Sequence, residues 1–286
     1  MMNDTARTQN TAELTRQHYD AVEDDQSLMA KVIQLLDAQI DGPVDVMQLA
    51  GLDQFHVRGL AATEELAKLV NIQREMKILD AGSGLGGPAR YLAETYGCNV
   101  TGVDLTPSFV TVSKLLAERT GMSNLVSYEI GDLAALSFPD ANFDVVWTQH
   151  VVMNIRDREQ VYREFRRVLK PSGKLAFYDV FAADDKPEPL FPVPWAESSE
   201  TSFLLTKAET IAAFERVDLT LSVWNDVTAA ASAWIDQPKP PSPQGLSLAT
   251  VMGPRFADMS ANLVRNIREG RIRLVMGSCD ATSARS

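Results

Sequence analysis

Asp80, Gly82, Ser83, Gly84 and Asp104 are the residues of this chain best suited to bind a nucleotide-type ligand. An apolar run ends at Asp80 and enters a glycine turn, where backbone without Cβ atoms can approach a ligand closely. The residues after the turn have helical composition with a proline in the first turn, so the free N–H donors of a helix N-terminus would face the ligand. The alternative is an ordinary tight turn between a strand and a helix.

Asp104 ends a second, β-branched strand. It follows the first glycines by about 20 residues, the offset at which a carboxylate binds ribose hydroxyls in dinucleotide-binding folds. Asp104 could instead cap a helix that begins near Thr106, a position that Asp also favours. We favour the ribose role because the spacing and the strand end coincide.

Two further predicted strands end in polar residues. Residues 126–133 alternate and end in Gly131, Asp132 and Leu133, and residues 143–150 are mostly apolar and end in Gln149 and His150. The carboxyl ends of strands in an open parallel sheet converge on one crevice, where ligands bind. The sequence therefore predicts that these four strand ends border one site.

Four motifs, in their order along the chain, resemble those of the class I S-adenosylmethionine-dependent methyltransferases, in the branch that acts on small molecules. The motifs are the acid before a glycine loop, the acid ending strand two, the Gly-Asp ending strand three and the Phe-Asp-Val-Val run of strand four, within residues 50–226. The resemblance implies an α/β fold, a Rossmann-like, seven-stranded, mostly parallel sheet with helices on both faces. It also implies S-adenosyl-L-methionine as the cofactor.

The resemblance assigns cofactor contacts residue by residue. Asp80 and the loop Gly82-Ser83-Gly84 would face the methionine portion, Asp104 and Leu105 the ribose and adenine, and Asp132 and Leu133 the adenine amine and ring. Gln149 and His150 would border the cofactor, and Tyr19 would contact it from an N-terminal helix that closes over it.

A dinucleotide-dependent dehydrogenase is the main competing interpretation, because it also uses a glycine turn and an acid on strand two. Asp80 precedes the first glycine by two positions, and its carboxylate would repel a pyrophosphate above the loop. S-adenosylmethionine has an α-ammonium group and no phosphate, so it tolerates that acid. A catalytically silent binding protein of the same fold is the other alternative.

His150 and His56 are the candidate catalytic residues, because a histidine can accept a proton from an acceptor near neutral pH. The alternative for each is a hydrogen-bonded histidine that shapes its loop. The candidate substrate contacts lie before strand one, at the end of strand five and in the later insertions: Arg58, Tyr178, Trp195, Glu197 and Arg255.

The resemblance is closest to sarcosine/dimethylglycine N-methyltransferases, natural-product O-methyltransferases and prenyl-diphosphate C-methyltransferases, and it does not choose among them. A neutral amine needs no strong base, a hydroxyl would use His150 or His56, and a carboxylate would use Arg58 or Arg255. A diphosphate would require the basic and amide groups Arg255, Asn262, Arg265 and Asn266. Our interpretation is an amine or hydroxyl acceptor.

We expect the chain to consist of an N-terminal helical cap, residues 1–60, and a cofactor-binding core, residues 61–286. Helices are expected in residues 11–40, and insertions near 182–205 and 228–270 follow strands five and six. The first insertion is interpreted as a lid. The second is interpreted as a substrate-side wall or as a contact in a homodimer.

The remaining elements complete the sheet. Strand five is predicted at 174–180, after a turn at 170–173, followed by a helix at 207–216 and a strand at 219–224. A helix at 256–269 and a last strand at 272–276 follow.

Composition excludes several function classes. The net charge of −11 disfavours a nucleic-acid partner. The sequence lacks a signal-like apolar segment and any apolar run long enough to span a bilayer, so we expect no membrane association and a cytoplasmic protein. Cys98 and Cys279 lie far apart in predicted strands, and the histidines lack metal-ligand spacing, so no metal site is expected, although a substrate-bound Mg²⁺ stays open.

Overall fold

A seven-stranded sheet forms the centre of the computed structural model, which describes residues 25–40, 42–184, 187–238 and 246–282. The strands lie in the order β3-β2-β1-β4-β5-β7-β6, and β7 is antiparallel to both of its neighbours. The strands are β1 (Lys77–Ala81), β2 (Asn99–Asp104), β3 (Val126–Ile130), β4 (Phe143–Gln149), β5 (Leu169–Ala182), β6 (Leu219–Asp226) and β7 (Ile272–Ala281).

Helices cover the sheet and its carboxyl edge. Short 3₁₀ helices lie at Val46–Leu49, Val152–Asn154 and Ser199–Thr201. The α-helices are α1 (Asp25–Gln39), α2 (Ala50–Asp53), α3 (Leu60–Val70), α4 (Gly87–Tyr96), α5 (Pro107–Arg119), α6 (Arg158–Val168), α7 (Lys207–Glu215), α8 (Thr228–Ile235), α9 (Leu248–Met252) and α10 (Phe256–Arg268). None of the helices in the described ranges is both long and apolar enough to cross a bilayer.

Both faces of the central strands of the sheet are buried, as the near-continuous apolar runs of parallel strands require. Ile78 of β1 packs in one core with residues of α3 and α4, whereas its neighbour Leu79 packs in a second core with residues of α6 and α7. The predicted Rossmann-like sheet with helices on both faces is confirmed.

The strand register brings the predicted site residues to one edge. Asp80 pairs with Gly102 of β2 and with Trp147 of β4, and Asp104 pairs with Ile130 of β3. Because these strands run parallel, the loops that follow Asp80, Asp104, Ile130 and Gln149 all leave the sheet on the same side.

The predicted bounds of three strands were wrong. Residues 170–173 lie inside β5, where pairing with β4 jumps from Leu169 to Lys174, so the expected turn is an irregularity in a longer strand. β7 continues to Ala281 because it pairs with β5 over nine positions, and β6 continues to Asp226 along β7. Cys279 lies in β7, but Cys98 precedes β2 by one residue; both are buried in the core.

The N-terminal part of the described chain packs on the sheet through α5. Leu28, Val32 and Leu36 of α1 share a core with Phe109 and Leu116 of α5. Residues 1–24, and Tyr19 with them, lie outside the described residues. The domain boundary at residue 60 stays a prediction.

The insertion after β5 is fixed to the rest of the molecule by asparagine side chains. Asn154 donates from Nδ2 to the Trp195 carbonyl at 2.6 Å. Asn266 of α10 exchanges two hydrogen bonds with the backbone of Leu190, at 2.8 and 2.9 Å, and Asn262 donates to the Pro192 carbonyl at 3.0 Å. The insertion and α10 are therefore held against each other by these hydrogen bonds.

Candidate functional site

A cavity of about 530 Å³ lies at the carboxyl ends of β1, β2, β3 and β4 and extends toward the insertions. Its walls include every cofactor residue that the sequence predicts within the described chain, together with His56 and Trp195. These predicted residues are Asp80, Gly82, Ser83, Gly84, Asp104, Leu105, Asp132, Leu133, Gln149 and His150.

The glycine loop is shaped by close packing at two positions. Gly82 has φ +80°, and a Cβ there would lie 2.4 Å from Val151 Cγ2. A Cβ on Gly87, in the first turn of α4, would lie 2.5 Å from the carbonyl oxygen of Asp53. Gly82 thus lets the loop pass under the segment after β4, and Gly87 lets the segment before the core pack against the helix.

Asp104 holds the loop with both carboxylate oxygens. Oδ2 accepts a hydrogen bond from the Gly84 amide at 2.8 Å, and Oδ1 accepts one from the Thr106 amide at 2.9 Å. Thr106 is the N-cap residue of α5, so this hydrogen bond lies before the helix and does not cap the free amides of its first turn. The side chain is half-buried and lines the cavity.

Asp80 is a buried acid with an unsatisfied oxygen. The residue is 2% exposed, and its Oδ2 contacts no hydrogen-bond donor among the described residues. Burial, reinforced by the nearby Asp104 carboxylate, raises the pKa of Asp80 to about 7. A cationic ligand group beside it would supply the missing donor and favour the ionised form.

A buried ion pair fixes the segment before β1 against α4. Arg90 donates from Nη2 to Asp53 Oδ2 at 2.6 Å and from Nη1 to the Tyr128 hydroxyl at 3.3 Å. Burial raises the pKa of Asp53 to about 6, although Arg90 opposes this shift. The pair positions the segment that carries Phe55 and His56 over the glycine loop.

His56 belongs to a buried polar network. The Thr63 hydroxyl donates to Gln54 Oε1 at 2.9 Å and lies 3.2 Å from His56 Nε2. Gln149 Oε1 lies 3.3 Å from the same hydroxyl, and the tautomer of His56 decides whether Nε2 donates to this hydroxyl or accepts from it. Nδ1 of His56 is buried with no hydrogen-bond partner in the described ranges.

Gln149 is oriented by Trp147. The indole Nε1–H can only donate, and it donates to Gln149 Oε1 at 2.9 Å. The amide nitrogen Nε2 of Gln149 is left buried and without a partner within the described part of the chain. A buried ring nitrogen of His56 and the buried amide donor of Gln149 therefore remain on residues that line the cavity.

His150 adopts an uncommon backbone conformation at the end of β4. Its φ is +53°, in the left-handed region, and its amide donates to the Tyr178 carbonyl at 2.8 Å. Its ring centroid lies 6.0 Å from that of His56 and 4.8 Å from that of Tyr178. Burial lowers the pKa of His56 to about 4 and, together with His56, lowers the pKa of His150 well below its usual range, so both rings are neutral near pH 7.

Several predicted substrate residues do not line the cavity. Arg58 forms an ion pair with Glu65 at 2.5 Å, and Arg255 forms one with Glu197 at 2.6 Å. The hydroxyl of Tyr178 donates to the Val57 carbonyl at 3.1 Å, behind the two histidines. The role of each in substrate binding stays a prediction.

Trp195 lines the wall of the cavity and is buried. Its indole nitrogen donates to the Ser202 hydroxyl at 3.0 Å, which fixes the ring. The far side of the cavity contains apolar residues that the sequence interpretation did not single out, from the loop after β4 and from α8, α9 and α10: Met153, Trp234, Ile235, Leu248, Met252, Phe256, Leu263 and Val264. The helical periodicity of α10 was the available signal, but it does not tell which surface a helix faces.

The network residues Gln54 and Thr63 were also missed. Neither carries a motif, and their roles depend on a fold that brings α3 beside β4. No group of three or more histidine, cysteine or carboxylate side chains with metal-binding geometry occurs among the described residues.

Comparison with known proteins agrees with this architecture. Residues 79–177 match a family model described as a methyltransferase domain. The glycine/sarcosine/dimethylglycine N-methyltransferase of Actinopolyspora halophila is 40% identical over 121 residues, which are 42% of this chain and 21% of that protein. A sterol 24-C-methyltransferase of Gibberella zeae is 34% identical over 179 residues, 62% of this chain and 44% of that protein. The chain thus spans about a fifth of the length of the first relative and less than half of the length of the second.

A solved structure extends the similarity of fold to nearly the whole chain. Geranyl diphosphate C-methyltransferase from Streptomyces coelicolor A3(2), in complex with Mg²⁺, geranyl-S-thiolodiphosphate and S-adenosyl-L-homocysteine, superposes with a TM-score of 0.69 at 16% identity. The match covers 99% of this chain and 100% of that chain, and at this identity it concerns the fold. The resemblance read from the motifs is confirmed: residues 79–177 match the methyltransferase-domain model, and the sheet has the Rossmann-like topology that the resemblance implies.

Proposed function

We propose that this protein is an S-adenosylmethionine-dependent methyltransferase that methylates an amine or a hydroxyl group of a small molecule. The observation that carries the proposal is the shared cavity. Residues predicted separately from four strand ends all line one cavity. Beside them lie two neutral histidines and an apolar compartment, which is formed by Trp195 and the lining residues of α8 to α10. Bound S-adenosylmethionine supplies a methyl group on a positively charged sulfur.

The residues at the β1 and β2 ends fit this cofactor. The unsatisfied Oδ2 of Asp80 suits the α-ammonium group, and the turn from Gly82 to Gly84 allows close approach of the amino-acid portion. Asp104 and Leu105 suit the ribose and adenine, and Asp132 and Leu133 suit the adenine. The carboxylate of Asp80 disfavours the pyrophosphate of a dinucleotide above this loop.

His56 and His150 are proposed to receive the acceptor group and its proton. Both are neutral at pH 7, so an O–H or N–H group can donate to either ring. Gln149 adds a donor that can orient the attacking atom while leaving it a lone pair. Tyr178 supports both rings from the protein side, with centroid distances of 5.9 and 4.8 Å.

The apolar compartment contributes by excluding water and fixing the acceptor. Methyl transfer from sulfur is an in-line displacement, so the chain gains most by holding the attacking atom in line with the carbon–sulfur bond. Trp195, fixed through Ser202, and the residues of α8 to α10 can restrict the acceptor in this way.

Calorimetric binding of S-adenosylhomocysteine and of NAD tests the cofactor assignment first. Transfer of labelled methyl from S-adenosylmethionine is then measured with three pools: amines, hydroxylated and phenolic compounds, and prenyl diphosphates with and without Mg²⁺. Label in the amine or hydroxyl pool is the expected result. Binding of NAD instead would indicate an oxidoreductase, and label only in the diphosphate pool would indicate C-methylation. Binding of S-adenosylhomocysteine with no label in any pool would favour a silent binding protein.

A further inference from the structure

The half of the cavity beyond the histidines is enclosed by large apolar side chains from separate parts of the chain. Trp195 comes from the insertion after β5, Trp234 and Ile235 from the end of α8, and Met252, Phe256 and Leu263 from α9 and α10. Trp195 and Met252 are buried, and the others are half-buried. Such a wall desolvates whatever it contacts and offers it few hydrogen-bonding groups.

The charged side chains of the cavity are mostly acidic and lie elsewhere on its wall. Among the lining residues that the structure describes, the acids are on the cofactor side or in the loop after β4, and the one basic residue is Arg156. Arg156 is exposed and stacks on Phe203, with its guanidinium carbon 4.6 Å from the ring centroid. The acids would repel an anionic acceptor, and Arg156 is the one cation in the described lining that opposes them.

The basic and amide groups that could have bound an anion near this compartment have other partners. Arg255 pairs with Glu197 and Arg265 with Glu269, each at 2.6 Å. Asn262 and Asn266 hydrogen bond to the backbone of the insertion after β5. None of these four residues lines the cavity. A carboxylate or diphosphate placed in the compartment would find few partners among the described residues to compensate its desolvation.

We infer that the methyl acceptor is an uncharged, largely apolar molecule that turns a single hydroxyl or amine toward His56 and His150. This inference rests on the proposed function and specifies its substrate class, in contrast to a zwitterionic amino acid or a diphosphate. The new bond joins the acceptor oxygen or nitrogen to the methyl carbon as the carbon–sulfur bond breaks. The sulfur keeps the electron pair of that bond, and the acceptor's proton passes to an imidazole, which takes over the positive charge.

Matched ligand pairs test this substrate class. Binding is measured by calorimetry to the protein saturated with S-adenosylhomocysteine, for geraniol against geranyl diphosphate, with and without Mg²⁺, and for 4-phenylphenol against 4-phenylbenzoate. Sarcosine serves as the zwitterionic probe. Because the members of each pair share their apolar body, a difference in affinity reports the charge. We expect each neutral member to bind at least tenfold more tightly than its anionic counterpart, and sarcosine to bind more weakly than either neutral compound.

Variants at Leu263 locate the effect in the compartment. Leu263→Lys places a charge in the apolar wall and should weaken binding of the neutral compounds at least tenfold, while the affinity for S-adenosylhomocysteine changes less than twofold. Leu263→Met, of similar volume and polarity, is the matched control and should weaken binding of the neutral compounds far less than Leu263→Lys does.

Tighter binding of an anionic member or of sarcosine would overturn the inference, and so would binding of S-adenosylhomocysteine without binding of either neutral compound. Failure of S-adenosylhomocysteine itself to bind would instead contradict the proposed function. The two failures are thus distinguishable, because the cofactor product is measured before any acceptor probe is added.

Discussion

Asp80 should make cofactor binding depend on pH near neutrality. Its pKa in the ligand-free protein is about 7, because it is buried and lies near Asp104. If the α-ammonium group of S-adenosylhomocysteine binds only the ionised carboxylate, the apparent Kd varies inversely with the ionised fraction of Asp80. The Kd should then be about tenfold weaker at pH 6 than at pH 8, and binding at pH 6 should release close to one proton.

Calorimetry in buffers of different ionisation enthalpy measures both the Kd and the released proton. S-adenosylhomocysteine is the suitable ligand because it has the same ammonium group and cannot transfer a methyl. Asp80→Asn keeps the shape of the side chain and should remove this pH dependence, with a Kd at pH 8 weakened by about 10- to 100-fold for one lost charged hydrogen bond. Asp53, whose pKa is about 6, remains in this variant and reports any background titration.

The same shift predicts an effect on stability with a defined sign. The pKa of Asp80 is raised on folding from 3.8 to about 7, so its contribution to stability falls as the pH rises through this interval. Asp80→Asn should raise the free energy of unfolding at pH 8 by as much as about 4 kcal/mol and leave it nearly unchanged at pH 4. Urea unfolding measures this. The reasoning would be refuted if the wild-type Kd did not change from pH 6 to 8. It would also be refuted if the free energy of unfolding depended on pH in Asp80→Asn as it does in the wild type.

Three further substitutions test other contacts of the site. Asp104→Ala should weaken S-adenosylhomocysteine binding about 100-fold, through the loss of two hydroxyl contacts, and normal binding by calorimetry would contradict the ribose assignment. His150→Ala should lower turnover by about 10²- to 10⁴-fold with little change in cofactor affinity, and unchanged initial rates would reduce His150 to a structural role. Arg90→Met should lower the free energy of unfolding by about 3–5 kcal/mol in urea, because Asp53 stays buried without its partner, and adding Asp53→Asn should recover part of the loss.

The cofactor half of the cavity was predictable because its signals are local in sequence. Asp80, the glycine turn and Asp104 follow strand ends at a spacing that the βαβ unit fixes, so each could be identified without knowing the rest of the fold. The sheet topology then brings these ends to one edge, as the register of β1 with β2 and β4 shows.

The acceptor half was not predictable in the same way, because contacts between distant segments decide it. Arg58 and Arg255 have the residue type that binds a carboxylate, yet Glu65 and Glu197 pair with them. No spacing rule connects Arg255 to Glu197, which are 58 residues apart in the chain. Thr63 belongs to no sequence motif. Its hydroxyl lies within hydrogen-bond distance of Gln54, which precedes β1 in the chain, and of Gln149, which follows β1.

The length of strand β5 was also not predictable from the local sequence. The sequence around 170–173 has the proline and glycine of a turn, and turn chemistry alone ends the strand there. In the structure, pairing with β4 resumes at Lys174 and pairing with β7 holds the whole length from Lys174 to Ala182, so tertiary pairing overrides the local signal.

One physical cause connects the two neutral histidines to the apolar acceptor class. Burial lowers the pKa of His56 and His150 because their charged forms lose hydration, and the same loss of hydration would penalise a charged acceptor in the adjoining compartment. Arg58 is the cation whose charge lowers the pKa of His56 further, but Arg58 is paired with Glu65 and does not line the cavity. A site built for an ammonium acceptor would require a carboxylate beside the two rings, which would raise their pKa values. The unpaired nitrogens on neutral rings, beside walls of Trp195 and Phe256, instead match a neutral donor group on an apolar body.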